Sequence, residues 1–265
     1  MIALILMGGK GTRFSEEGYK INKASIPTYD RHTGTQLPMV VCAMKDIPQI
    51  HNHDTKIICV SRDFHLENGT EAVIKEHFKN VTFIHDHVLL DQAFGCLLAR
   101  EFLLKDDELF LGCCDCGFNF HESDWNNAKK NSDAIMISHT NDNNIKQNPN
   151  AHSWAVLKPR TNLLSGISIK KPVSDQPMND HATTGMFWFK SSKKFLELLE
   201  EMIFRNDRFD NKFYVDKLLQ YYINKDLKVR HHDVDFFCWG TPYDYETYQR
   251  SFTYWSKFKI GRAHV

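Results

Sequence analysis

A single α/β domain with a mainly parallel central sheet and a small added antiparallel patch is predicted by three observations. Short apolar runs alternate with segments of helical period through the first half of the chain. A glycine-rich loop follows the first of these runs without a break. Further along, the apolar runs succeed one another with little helix between them. The 265 residues suit one domain of this kind, which would bury roughly three quarters of its unfolded surface.

The elements follow in order. Ile2–Met7 is predicted as a buried strand, and Met39–Met44 starts a helix after Pro38. Lys56–Val60 is a strand and Glu71–Phe78 helical; Val81–His85 is a strand and Ala93–Leu104 has apolar residues at helical spacing. Glu108–Gly112 is a strand, Ser123 reads as the cap of a helix running to about Lys130, and Ala134–His139 is the next strand. Successive strand–helix units of this kind imply right-handed crossovers and a parallel sheet. Asn141–Asn150 is Asn-rich, polar and aperiodic, so a surface loop is expected. Trp154–Leu157, Ile167–Ile169 and Met186–Phe189 are strands of the antiparallel patch. Phe195–Phe204 and Tyr214–Tyr222 are amphipathic helices, and Lys228–Val234 with a Trp-Gly-Thr-Pro turn is expected to close the domain. No repeat or linker divides residues 1–258, which are read as one domain. Residues 259–265 read as a non-native tail: Ile260–Val265 resembles a translated sequencing adapter, so the natural C-terminus is expected to be missing.

Composition narrows the function. Lys+Arg 33 against Asp+Glu 33 gives zero formal charge, which argues against an electrostatically driven nucleic-acid binder. The 42% hydrophobic content excludes disorder, and no run approaches a membrane helix. Met1–Met7 has neither a basic leader nor a cleavage site, so a cytoplasmic location is expected. Seven cysteines do not make a disulfide framework here. Cys113, Cys114 and Cys116 crowd one spot, but no second ligand pair stands at zinc-site spacing, so they read as small core residues.

The chemistry starts at Gly8-Gly9-Lys10-Gly11-Thr12-Arg13. Backbone amides of such a loop can point together at phosphate oxygens. A dinucleotide fingerprint fails because Phe14 stands where its third glycine is needed, and a P-loop fails because Lys10 is followed by Gly11. A bare glycine turn is the alternative. Arg13 adds a bidentate phosphate donor, and Lys20, Lys23 and Pro27 follow.

The "LMGGKGTRF" stretch, with a lysine about ten residues on and then proline, resembles the opening of the sugar nucleotidyltransferase family. Gly18-Tyr19-Lys20 before Lys23 is similar to its bacterial capsule and surface-polysaccharide branch. Asp115 after the fourth strand, Thr184-Gly185 before an aromatic strand, and Trp239-Gly240-Thr241-Pro242 with Asp244 extend the resemblance over most of the chain at motif level. It implies a Rossmann-like domain of nucleotide-diphospho-sugar transferase type. It also implies a reaction in which a phosphate oxygen of an acceptor attacks the α-phosphorus of a nucleoside triphosphate and releases pyrophosphate. An attacking phosphate is already ionised, so the site need only align the reactants and neutralise charge.

By that resemblance Gly8, Gly9, Gly11 and Thr12 cradle the nucleotide, Arg13 holds the β- and γ-phosphates, and Lys23 stabilises the α-phosphate. Asp115 binds Mg²⁺, the implied cofactor. Asp235, with Asp233 close by, is the expected second metal carboxylate, although Cys238 and Trp239 occupy the position just before the Gly-Thr turn. Lys170 or Lys171 in "IKKP" is expected to contact the acceptor phosphate, and Thr184 and Gly185 to face the acceptor. The family's glutamate ahead of that lysine is absent. In "LDQAFGCLLA" Asp91 replaces a glycine of the base-reading segment, leaving Gln92 and Ala93 to read the base edge. The implied partners are a nucleoside triphosphate and a phosphorylated sugar or small phosphorylated metabolite; no nucleic acid or membrane partner is expected, and the sequence leaves the oligomeric state open.

Two other readings stand beside this one. A nucleotide-sugar-dependent glycosyltransferase would show Asp-x-Asp after the fourth strand, where Cys113 precedes Asp115. A non-catalytic nucleotide-binding relative is compatible with Asp91 and the lost glutamate. His85-Asp86-His87 and His231-His232-Asp233 are set aside as metal sites because neighbours on a strand point to opposite faces. Phe236, Phe237, Trp239, Tyr243, Tyr245 and Tyr248 are expected to pack core and lid.

Overall fold

The computed structural model describes residues 1–88, 91–119 and 121–261; of the predicted tail, 262–265 lie outside the described residues. The strands are β1 Ile2–Leu6, β2 Pro27–Tyr29, β3 Gln36–Pro38, β4 Lys56–Ser61, β5 Val81–His85, β6 Leu109–Gly112, β7 Cys116–Asn119, β8 Ala134–His139, β9 Ser153–Leu157, β10 Leu164–Ile169, β11 Ala182–Phe189, β12 Val229–Asp233 and β13 Asp235–Cys238. The helices are α1 Thr12–Glu16, α2 Met39–Lys45, α3 Asp63–Glu67, α4 Thr70–His77, α5 Gln92–Leu98, α6 Arg100–Leu103, α7 Glu122–Lys130, α8 Asn143–Gln147, α9 Ser192–Phe204, α10 Val215–Asn224 and α11 Pro242–Gly261.

Nine strands form one sheet in the order β10-β9-β11-β6-β1-β4-β5, with β8 beside β11 and β12 beside β8. Pairing of β1 with β4 and β6, of β4 with β5, and of β8 with β12 is parallel; only β10 and β11 run against the other strands. The predicted antiparallel patch is β9–β10–β11, fused to the parallel strands through β11. Both sheet faces are covered, which is why β1 reads as an unbroken apolar run. Leu4, Ile58, Leu111 and Phe187 pack under α9 and α10 with Phe195, Leu199 and Leu219, while Ala3, Ile5 and Ile57 pack under α2 and α7 with Val40 and Trp125. Each such buried Leu, Ile or Phe contributes about 1.5–3 kcal/mol.

Two short ribbons, β2–β3 and β7–β13, stand off this sheet and flank the end where the strands' carboxyl termini lie. The turn of the first is tied to the second through a buried charge. Asp46, at the end of α2, accepts from Arg31 Nη2 (2.7 Å), His32 Nε2 (2.9 Å) and the Phe118 amide (3.1 Å). The Arg31 guanidinium also lies 4.2 Å from the Phe237 ring centroid on β13.

Four expectations change. The helix over Ala93–Leu104 is two helices, because at Ala99 the amide bonds back to Cys96 in a tight turn. Ser123 is not the cap of α7: His121 holds that position, and Ser123 Oγ bonds Asp124. The polar stretch 141–150 contains α8, capped by Asp142 Oδ1 on the Asn144 amide (2.6 Å) and pinned by the buried Ile145; one apolar residue in ten gives no period to read. The Trp-Gly-Thr-Pro turn does not close the domain but starts α11. Thr241 accepts from the Asp244 amide (3.2 Å) and donates to its carboxylate (2.6 Å), with Pro242 at the first helical position. Tyr245 and Tyr248 then donate to the Pro27 and Tyr29 carbonyls, strapping α11 over β2.

Candidate active site

The loop after β1 runs through Gly8, Gly9 and Gly11 into α1 and packs against Lys23. Gly11 has φ +64°, left-handed backbone that suits glycine, and a Cβ there would lie 3.1 Å from the Lys23 Cβ. This close approach seats Lys23, whose Nζ donates to Asp115 Oδ2 at 2.7 Å. Asp115 lies just past the carboxyl end of β6, and its carbonyl accepts from the Trp239 amide at 2.9 Å. Burial works against the charge on each partner, but their mutual attraction outweighs it. Lys23 is held above the ordinary lysine range and Asp115 below the ordinary carboxylate range, with Arg13 adding to the effect on Asp115. The two residues singled out for phosphate and metal are thus joined as an ion pair.

Lys23 is held in turn from behind. Asn22 caps the turn that starts at Lys23 by accepting from the Ala24 amide (3.2 Å), and its Oδ1 also meets His65 Nε2 (2.9 Å). His65 Nδ1 accepts from the Arg62 amide (3.1 Å), so the fully buried ring uses both nitrogens as a neutral imidazole. Burial, and then the nearby Arg62 charge, push its pKa down to about 4. An unfolded histidine takes its proton near pH 6.5, so the contribution of His65 to stability is complete above that pH. It is lost as pH falls toward 4, at about 1.4 kcal/mol per pH unit. Melting temperature is therefore expected to drop over this window, and His65→Gln to flatten the drop; an equally steep profile in the variant would refute the assignment.

Two cavities meet at Asp115. The first, of about 390 Å³, is lined by Gly8, Gly9, Lys23, Asp86, Gln92 and Phe213 among others. Gly11 and Thr12 lie outside the walls of both: Gly11 acts through Lys23, and Thr12 starts α1. Of the proposed base readers, Gln92 faces this cavity. Ala93 does not, because it is wholly buried in the core beneath α5. Asp91 has found a structural use. Its Oδ2 accepts from the Phe213 amide (3.3 Å) while Gln92 Oε1 accepts from the Val215 amide (3.4 Å), so both tie down the segment that roofs the cavity.

The second cavity, of about 790 Å³, holds the acceptor candidates. Arg13, Lys170, Thr184 and Gly185 line it, and it shares Gln92, Asp115 and Tyr214 with the first. Arg13 therefore stands on the acceptor side, where its charge is felt by both Asp115 and Lys170. Lys170 is the lysine that faces inward, 5.7 Å from the Tyr214 ring centroid and bonded to the Ala151 carbonyl, whereas Lys171 is exposed and lines neither cavity. Burial lowers the Lys170 pKa, with Asp216 opposing. Gly185 has φ +83° in a bulge of β11, where Thr183 pairs with Ser138 and Phe187 already with Met136. Thr184 Oγ1 spends its proton on the Ile137 carbonyl (3.0 Å).

Two residues of this cavity escaped the sequence. Asp216 is buried, accepts from Ser153 Oγ (2.9 Å) and has a raised pKa, burial outweighing Ser153 and Lys170. In the first turn of a predicted helix it reads as an ordinary N-terminal acid. His152 lines the cavity with Nε2 lacking a hydrogen-bond partner.

The expected second carboxylate is misplaced. Asp235 pairs with Asn119 at the far end of the β7–β13 ribbon and lines a different cavity, while Cys238 pairs with Cys116 at the Asp115 end. Three residues of strand put Asp235 roughly 10 Å along the ribbon from that end. Cys238 is no substitute: burial raises its thiol pKa well above the usual range, and a neutral thiol is a poor Mg²⁺ ligand. Asp244 is engaged by Thr241 and Asn144. Asp115 remains beside the first cavity, whose wall also carries Asp86 and Asp91, each with one oxygen spent on a backbone amide. This carboxylate donor set fits Mg²⁺, which keeps several waters and leans on substrate phosphates. Cys114 and Cys116 are buried core residues, as expected.

No family model matches the chain, and no curated protein matches it. Solved structures do. The chain superposes on a nucleoside-diphosphate-sugar pyrophosphorylase from Vibrio cholerae RC9 with a TM-score of 0.72 at 18% identity, covering 94% of this chain and 100% of that one. It matches a UDP-glucose pyrophosphorylase complexed with UDP-glucose at TM-score 0.70 and 14% identity, over 97% and 98% of the two chains. A UTP-bound UGPase from Acinetobacter baumannii matches at TM-score 0.67 and 15% identity, over 100% and 99%. The chain therefore shares the fold of these structures over most of its length. Among the described residues no helix is long and apolar enough to cross a membrane.

Proposed function

We propose that the protein belongs to the sugar nucleotidyltransferase family and is a Mg²⁺-dependent enzyme of surface-polysaccharide precursor synthesis. It would join a nucleoside triphosphate to a phosphorylated sugar or small phosphorylated metabolite. The observation that carries this reading is the meeting of two cavities at Asp115, paired with Lys23, with Gln92 and Tyr214 on the shared wall. Solved structures of the same fold carrying UTP and UDP-glucose support a nucleotide substrate, which we assign to the first cavity.

An oxygen of the acceptor phosphate attacks the α-phosphorus; the bond from that phosphorus to the bridging oxygen of the β-phosphate breaks, and pyrophosphate leaves with the electron pair. No proton has to be removed from the nucleophile, which accounts for a site made of cations and amides. Lys23 exchanges Asp115 for the α-phosphate, Lys170 holds the acceptor phosphate, and Arg13 between them offsets the charge of both reactants. Asp216 and His152 meet the acceptor's hydroxyls. Mg²⁺, held by Asp115 with phosphate oxygens and water, would supply neutralisation of the triphosphate.

The test is a thermal-shift panel of CTP, UTP, GTP, ATP and dTTP with and without Mg²⁺. A nucleotide at 100 times its Kd adds about 2.7 kcal/mol, or roughly 5–10 °C here. One Mg²⁺-dependent shift identifies the base; flat curves for all five defeat the reading. For the acceptor, Lys170→Asn is expected to raise KM about 10- to 100-fold, asparagine being chosen because Lys170 has φ +60°. Lys171→Ala should stay near the parental value, and an equal rise in both variants would contradict the assignment.

A further inference from the structure

We propose that His181, His231 and Asp233 form a binding site for a first-row divalent cation of the zinc or cobalt type, separate from the site at Asp115. One donor atom from each residue lies within 4.8 Å of the others. The donors stand on paired strands: His231 and Asp233 share a face of β12, and His181 precedes β11 on the other side of β8. Ser138 of β8 lies between Asp233 and Thr183, and its small side chain leaves His181, two residues before Thr183, room to reach Asp233. His181 Nδ1 lies 2.8 Å from Asp233 Oδ2, and the two imidazole centroids are 3.9 Å apart.

Hydrogen bonding accounts for only part of this arrangement. Ser138 Oγ donates to Asp233 Oδ1 at 2.6 Å, so its proton is committed. His231 Nδ1 is 3.5 Å from the same oxygen, beyond a good hydrogen bond, and 3.3 Å from Ser138 Oγ. Two nitrogens and a carboxylate suit zinc and cobalt, whereas Mg²⁺ and Ca²⁺ favour all-oxygen sets. Three protein ligands leave the fourth position to water. The hydrogen bond from Ser138 is the outer-shell support such carboxylates usually have; β12 holds His231 and Asp233, and the His181 backbone is tied to β9 through the Ala155 amide (3.0 Å). Asp233 also opens onto a cavity of about 710 Å³ lined by Asp124 and Asp235, an acidic approach for a cation. The adjacent His231-His232-Asp233 run conceals the site in the sequence, because the third ligand comes from fifty residues earlier.

The experiment titrates tag-free, chelator-treated protein with Zn²⁺ by calorimetry and with Co²⁺ by visible absorption. One saturable equivalent is expected, unaffected by excess Mg²⁺. His181→Gln and His231→Gln should abolish it, Ser138→Ala should weaken it about tenfold, and His87→Gln should leave it intact. Absence of a saturable equivalent, or unchanged affinity in His181→Gln, overturns the proposal. Should His231→Gln fail to fold, the Co²⁺ spectrum of the parent protein and the loss of that spectrum in His181→Gln decide. Neither readout depends on nucleotidyl transfer, so the outcome is independent of the function proposed above.

Discussion

Asp115→Asn is expected to lower nucleotidyl transfer by about 10²- to 10³-fold while the protein stays folded. Asparagine keeps a polar partner for Lys23 but removes the charge that balances it and the carboxylate proposed to hold the metal. Lys23→Met should cost a similar factor. The two residues act as one unit, so the double variant should be little worse than either single one. Initial rates with saturating nucleotide and acceptor check this. An Asp115→Asn enzyme within a few-fold of the parent would leave the ion pair a structural contact, and independent losses in the double variant would separate the two roles.

The largest effect on stability is expected at Arg31, outside the catalytic centre. Asp46 is 2% exposed and faces Arg31 at 2.7 Å. Arg31→Met leaves a buried carboxylate without its main counter-charge, at a cost of about 3–5 kcal/mol. For a chain of this size that is a fall in Tm of roughly 6–20 °C, readable by thermal or urea denaturation. Replacing Asp46 as well, in Arg31→Met with Asp46→Leu, should restore part of the loss, because the unpaired charge is then gone. A single-variant change under about 2 °C would show that the His32 and Phe118 contacts alone sustain Asp46.

The parallel strands were readable because their apolar runs are short, regular and separated by helices of clear period. The packing of Gly11 against Lys23 is local in sequence, but nothing in the spacing tells that Arg13 lines the second cavity and Lys23 the first. Legibility failed where position depends on register or on distant partners. Lys170 and Lys171 are neighbours in sequence and differ only in which one the turn after β10 faces inward. Asp235 has the right chemistry, but pairing with Asn119 places it at the wrong end of its ribbon. Asp216 is chemically ordinary until β9 brings Ser153 against it. The helix α11 has aromatic residues around much of its circumference, Tyr245 and Tyr248 packing on the ribbons while Tyr243, Tyr254, Trp255 and Phe258 are exposed, and so shows little amphipathic period.

The strap that α11 lays over the phosphate loop has a consequence for the order of synthesis. Phe14 and Tyr19, which follow the glycines, pack edge-on against each other at 5.1 Å and against Tyr245, and the Tyr19 hydroxyl bonds Glu246, a partner 227 residues later in the chain. Translation at about 5–20 residues per second therefore leaves this loop without its clamp for roughly ten to fifty seconds after it emerges. A nascent chain long enough to form β1, β4, β5 and β6 has His65 and Asp115 to anchor Asn22 and Lys23, but not the aromatic clamp on Phe14 and Tyr19. On the function proposed above, the nucleotide site is completed late, when the last helix closes over the first loop.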